Sequence, residues 1–195
     1  MMRFENLKVI IMDKLEKGFP AHLHYHNFHH VLDVLNASIQ IAEEENIDET
    51  NLELIKVAVL FHDAGFIIHA ENHEKRGCEM AKEMLPGFNF TAGEIENICN
   101  IIMATKNPQT PHNINEQIIC DADLDYLGRN DYDTISRKLF DELNENGNIS
   151  ELEWLEMQIK FLERHKYFTN TSIRKRKPAK ELKLAELKDR IKSAK

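Results

Sequence analysis

Apolar residues recur at helical spacing along nearly the whole chain, and few glycines or prolines interrupt them. Phe4, Leu7, Ile10, Ile11 and Leu15 follow the i, i+3, i+4 rule and predict a first helix ending at Gly18. Further helices are expected over about 27–45, 49–62, 71–85 and 92–104, then 132–143, 150–166 and 178–193. Thr91 with Glu94, and Ser150 with Glu153, have the spacing of capping boxes. Residues 107–111 read as a loop, and Ile118-Ile119-Cys120 as a short apolar piece leading into Asp121. Seven Gly and five Pro in 195 residues argue against a turn-rich β-sandwich or barrel. The expectation is an all-α protein: a single helical bundle over residues 1–173, closed by a basic helix over 174–195. The apolar stripe Leu184, Leu187, Ile191 fits that tail either packed back on the bundle or used as a contact in a homo-oligomer.

Charge narrows the partners. Residues 174–195 carry a local excess of seven positive charges, so the rest of the chain holds fifteen more acids than bases. A body that acidic repels polyanions, which argues against general nucleic-acid binding. The tail is read as neutralising the body. No apolar run approaches the roughly 18 residues of a membrane span. The first residues show no signal-peptide core. Cys78, Cys99 and Cys120 are odd in number and widely spaced, as expected of reduced core residues. A cytoplasmic protein without a membrane partner is expected.

Ten histidines is a high count, and five of them (His22, His24, His26, His29, His30) crowd one segment. If Asn27 opens the second helix, His26 lies at its mouth and His30 one turn further on the same face. Two such imidazoles can share a metal or divide the roles of ligand and acid. His62-Asp63 ends a strongly apolar helix, where an unpaired carboxylate is costly and a divalent cation relieves it. Asp121, Asp123 and Asp125 alternate after an apolar stretch, and a cation again removes their repulsion. Mixed nitrogen and oxygen ligands fit Mn, Mg, Ni, Zn or Fe, one ion or two, without choosing among them. Water on such an ion becomes a nucleophile near neutral pH.

These residues resemble the HD superfamily of metal-dependent phosphohydrolases. Tyr25-His26-Asn27-Phe28-His29-His30-Val31-Leu32-Asp33-Val34 is similar to the Y-H-N-x-x-H-x-x-D-V phrase of class I cyclic-nucleotide phosphodiesterases and many bacterial HD proteins. Phe61-His62-Asp63-Ala64-Gly65-Phe66 resembles the HD phrase, and His73-Glu74-Lys75-Arg76-Gly77-Cys78 the H-E-x-x-G/S-A segment that often follows it. The run from Cys120 to Arg129 resembles the D-A-D-L-x-x-L-G phrase of predicted HD phosphohydrolases. The likeness spans about residues 20–170.

The resemblance implies His30, His62, Asp63 and Asp123 as metal ligands, with Asp121 as the fallback for the last. It implies His26 as the acid that protonates the leaving oxygen, and Asp63 or Asp123 as the group orienting a metal-bound hydroxide. Lys106 or Arg129 would hold a phosphate oxygen, and His73 a phosphate or a second metal. The implied substrate is a phosphomonoester or small phosphodiester, with a nucleotide as the leading case. The region that builds the purine pocket of class I phosphodiesterases is missing, and so is the G-Y-P phrase of cyclic-di-GMP enzymes. Two other classes stay open. One is a nucleotide-binding regulatory module without catalysis. The other is a di-iron oxygenase, for which His69, His73 or His112 would supply further ligands.

Overall fold

The computed structural model describes residues 2–194. Among them the chain forms ten α-helices and no strand. Helices α1 (Met2–Gly18), α2 (Phe28–Glu44), α3 (Glu49–Phe61), α4 (His73–Met84), α5 (Ala92–Ala104) and α6 (Ile114–Asp123) enclose the larger core. Helices α7 (Tyr132–Leu143), α8 (Glu151–Arg164), α9 (Asn170–Lys175) and α10 (Lys177–Ala194) complete the chain. Both capping boxes form: Thr91 and Ser150 each accept from the backbone of the glutamate three residues on, which reaches back in turn.

Two helices differ from the sequence expectation. Residues 114–123 form a helix where the sequence reads as a short apolar piece leading into Asp121. Asn113 is the reason: its side chain accepts from Glu116 N at 3.1 Å, and Glu116 returns to accept from His112 N at 2.6 Å. Asp121 and Asp123 therefore lie in the last turn of a helix. Helix α9 was not anticipated; Thr169 starts it by accepting from Ser172 N.

Leu7, Ile11, Leu15, Ile55, Leu60 and Ile102 are among the side chains sealed in the larger core. A second, smaller core gathers Leu127, Tyr132, Leu155, Leu162, Tyr167 and Leu187. Leu187 brings α10 onto α8; at 1 % exposure it contributes about 1.5–3 kcal/mol by burial. Leu184 and Ile191 pack partly buried against the same cluster. Lys180, itself buried, donates to the carbonyls of His165 (2.6 Å) and Leu162 (3.1 Å) and so caps the end of α8. Four of the tail's other cations meet the acidic body: Arg174 and Lys175 on Glu44, Arg176 on Asp125, and Lys188 on Glu163. No described helix is long and apolar enough to cross a membrane. The seam between the two cores is where the histidines and carboxylates collect.

Candidate metal centre

Helix α2 begins where the histidine-rich segment ends. Asn27 accepts from His29 N (2.9 Å) and His30 N (3.3 Å), which fixes the first turn and turns His30 inward. His22, His24 and His29 stay exposed. At the end of α3, His62 turns Nδ1 to the carbonyl of Val59 at 2.8 Å, which leaves Nε2 facing Asp63 and Asp123. This is the second-sphere contact that typically fixes the tautomer of a metal-ligating histidine. Asp123, the last residue of α6, reaches the same point from a third helix.

Four atoms converge there. Nε2 of His30 lies 3.1 Å from Oδ1 of Asp123 and 3.5 Å from Oδ2 of Asp63. Nε2 of His62 lies 3.3 Å from Oδ2 of Asp63 and 3.7 Å from Oδ1 of Asp123. Ligands held roughly 2.0–2.2 Å from one cation stand about 3–3.5 Å apart, so the spacing suits a small divalent ion. His62 Nε2 and Asp63 Oδ2 are buried and make no hydrogen bond, the state expected of ligand atoms waiting for an ion. His30, His62 and Asp123 form a group able to hold a metal.

The electrostatics also call for positive charge. Burial alone would favour a neutral His62, yet the carboxylates of Asp63 and Asp123 raise its pKa well above the usual imidazole value. Burial would push both carboxyls up, yet His62 and its neighbours hold Asp63 well below the carboxylate range, and His30 with His62 draws Asp123 down to about 2. A divalent cation held there would supply that charge.

Two glycines let α4 close over the site. A Cβ on Gly65 would stand 2.0 Å from the carbonyl oxygen of His73, and one on Gly77 would stand 2.2 Å from that of Phe61. The close approach brings His73 Nε2 to 3.5 Å from Asp63 Oδ1, on the side away from the four converging atoms. His26 stacks on Phe66 with ring centroids 4.3 Å apart. Its Nδ1 pairs with Glu142 of α7, whose other oxygen accepts from Tyr25 N (2.8 Å) and His26 N (3.0 Å). Burial disfavours the imidazolium of His26, but Glu142 together with the charges of Asp63 and Asp123 outweighs that and raises its pKa. Glu142 was not singled out in the sequence; it lies 116 residues from His26 on an amphipathic helix and carries no local signature.

A cavity of about 360 Å³ opens beside the cluster, with His26, Asp63, His73, Glu74 and Asp123 at its inner end. Lys106 does not line it. Thr105 and Asn107 do, while the side chain between them is exposed. Arg129 is bound to Asp33 (2.9 Å) and Asp131 (2.6 Å) and faces a separate surface depression. Asp121 accepts from Phe168 N (2.9 Å), Thr169 N (2.8 Å) and Thr169 Oγ1 (2.7 Å), so its carboxylate anchors the chain before α9 rather than facing the site. His69 and His112 are exposed and outside the cluster.

An all-α bundle that brings His30, His62, Asp63 and Asp123 together beside a cavity has the makings of a metal centre. Residues 27–125 match the family described as HD domain, which is just over half of the chain; the protein belongs to that family. The fold is shared with the crystal structure of a predicted HD superfamily hydrolase from an uncultured Thermotogales bacterium. The two are 22% identical with a TM-score of 0.61, over 95% of this chain and 91% of that one. Among curated proteins no match is found.

Proposed function

We propose that the protein hydrolyses a phosphomonoester or small phosphodiester, with a nucleotide as the leading case, at a divalent cation held by His30, His62, Asp63 and Asp123. The observation that carries this reading is the pair of buried, unpartnered atoms, His62 Nε2 and Asp63 Oδ2, aimed at one point with His30 and Asp123. When bound, a divalent cation supplies Lewis-acid polarisation of the phosphoryl oxygens and activation of water.

The chain's own residues do the rest. Asp63 turns its second oxygen, Oδ1, towards His73, where it can accept a hydrogen bond from the attacking water and orient it. His26, whose imidazolium the Glu142 carboxylate favours, delivers a proton from Nε2 to the leaving oxygen. Phe66 under the ring holds its direction. Residues 1–173 form the catalytic unit in this reading, and the basic tail over 174–195, which contains α10, closes it. The reaction belongs to the cytoplasm, where the buried free thiols Cys78, Cys99 and Cys120 stay reduced.

Phosphate release from a phosphoester panel, with the metal restored after chelation, tests the proposal. Turnover that survives His62→Ala and His26→Ala unchanged would defeat it.

A further inference from the structure

The cavity has two ends of opposite character. The inner end carries the carboxylates of Asp63, Glu74 and Asp123. The wall built by α7 and α8 presents Leu139, Leu143, Trp154, Met157 and Phe161. Its polar groups are already engaged with one another: the hydroxyls of Tyr132 (3.0 Å) and Ser136 (2.8 Å) both donate to Oε1 of Gln158. Among the described residues no lysine or arginine lines the cavity. Leu143, Met157 and Phe161 are 50%, 42% and 36% exposed, so the apolar wall runs out to the mouth. Exposed apolar side chains gathered at a cavity mouth mark a binding groove more often than chance scatter.

From this we infer that the substrate carries one phosphoryl group on a neutral body that is apolar or aromatic, and that α7 and α8 recognise that body. The inference rests on the phosphoester reading above and narrows it. One divalent cation and one imidazolium leave little surplus positive charge against three carboxylates. A second phosphate would then lie among carboxylates or against leucine, tryptophan and phenylalanine, with no cation to meet it. A free sugar phosphate, with no base to lay on the wall, would bury hydroxyls against a surface with few free partners. A flat apolar body instead gains the burial and stacking that the wall offers.

Non-hydrolysable phosphonates test the inference on the full-length, metal-loaded protein. Phenylphosphonate, methylphosphonate and methylenediphosphonate are titrated by calorimetry. Trp154, the chain's only tryptophan, reports occupancy of the wall by its fluorescence. Phenylphosphonate should bind at least about 10-fold more tightly than methylphosphonate, a modest gain for an added apolar group, and methylenediphosphonate most weakly. Phe161→Ser and Met157→Ser, both at partly exposed positions, should shrink the phenyl-to-methyl ratio and leave methylphosphonate unaffected. A ratio near unity, or tightest binding of methylenediphosphonate, in protein that still turns over phosphoesters would overturn the inference and spare the phosphoester reading. Absence of both phosphonate binding and turnover would overturn the two together.

Discussion

Nε2 of His30 lies 3.1 Å from Oδ1 of Asp123, although 93 residues separate them. Helix α2 supplies one atom and the last turn of α6 the other, so the contact exists only when the larger core is assembled. Asp121, two residues earlier on α6, turns to the backbone of Phe168 and Thr169 instead. The two aspartates should therefore fail differently. Asp123→Asn should cost more than about 100-fold in metal affinity, beyond what loss of a second-sphere partner costs, with little change in stability. Asp121→Asn should keep the metal and lose about 1–3 kcal/mol of stability as its buried donors go unpaired. Metal titration alongside urea unfolding separates them, and the opposite pattern would make Asp121 the ligand.

Glu142 is a positioning residue for His26. Glu142→Gln should lower kcat by roughly 10–100-fold while metal content stays stoichiometric. Because Glu142 raises the pKa of His26, its removal should move the alkaline limb of the pH–rate profile to lower pH. A fall in kcat with an unmoved alkaline limb would point to a general packing defect instead.

Gly77 sits where α4 crosses the end of α3. Gly77→Ala should destabilise by about 1–3 kcal/mol, since the new methyl meets the Phe61 carbonyl and the backbones must part. Gly93→Ala meets nothing within 4 Å and should gain about 0.4–1 kcal/mol. Denaturant midpoints of the two variants should fall on opposite sides of the parent.

His165 is buried beside Lys180, and burial followed by the lysine's charge pushes its pKa down to about 3. The neutral ring is the folded form. Its contribution is complete above the unfolded value of about 6.5 and is lost as pH falls towards the folded value, by up to about 1.4 kcal/mol per pH unit. In metal-free protein, His165→Gln should flatten the loss of stability between neutral and acid pH relative to the parent. Parallel curves would show that His165 titrates normally.

Much of this was legible in the sequence because the signals were local. The periodicity placed most helices, and the segments around His26, His30 and His62-Asp63 each carried their own phrase. The helix over 114–123 is hard to read because Asn113 with Glu116 caps its start, outside the serine and threonine capping-box pattern. Lys106 is exposed while its neighbours Thr105 and Asn107 line the cavity, a difference of side-chain direction that has no local signal in the sequence. Glu142 and the apolar wall of α7 and α8 become visible only when the second core docks on the first.

The most direct test of the metal centre is the metal content of the purified protein and of His62→Ala, measured by plasma mass spectrometry beside phosphoester turnover. The account predicts a stoichiometric divalent cation in the parent, lost together with turnover in His62→Ala, while the helical circular dichroism stays unchanged. A folded parent that holds no divalent cation, and that no added cation activates, would contradict it.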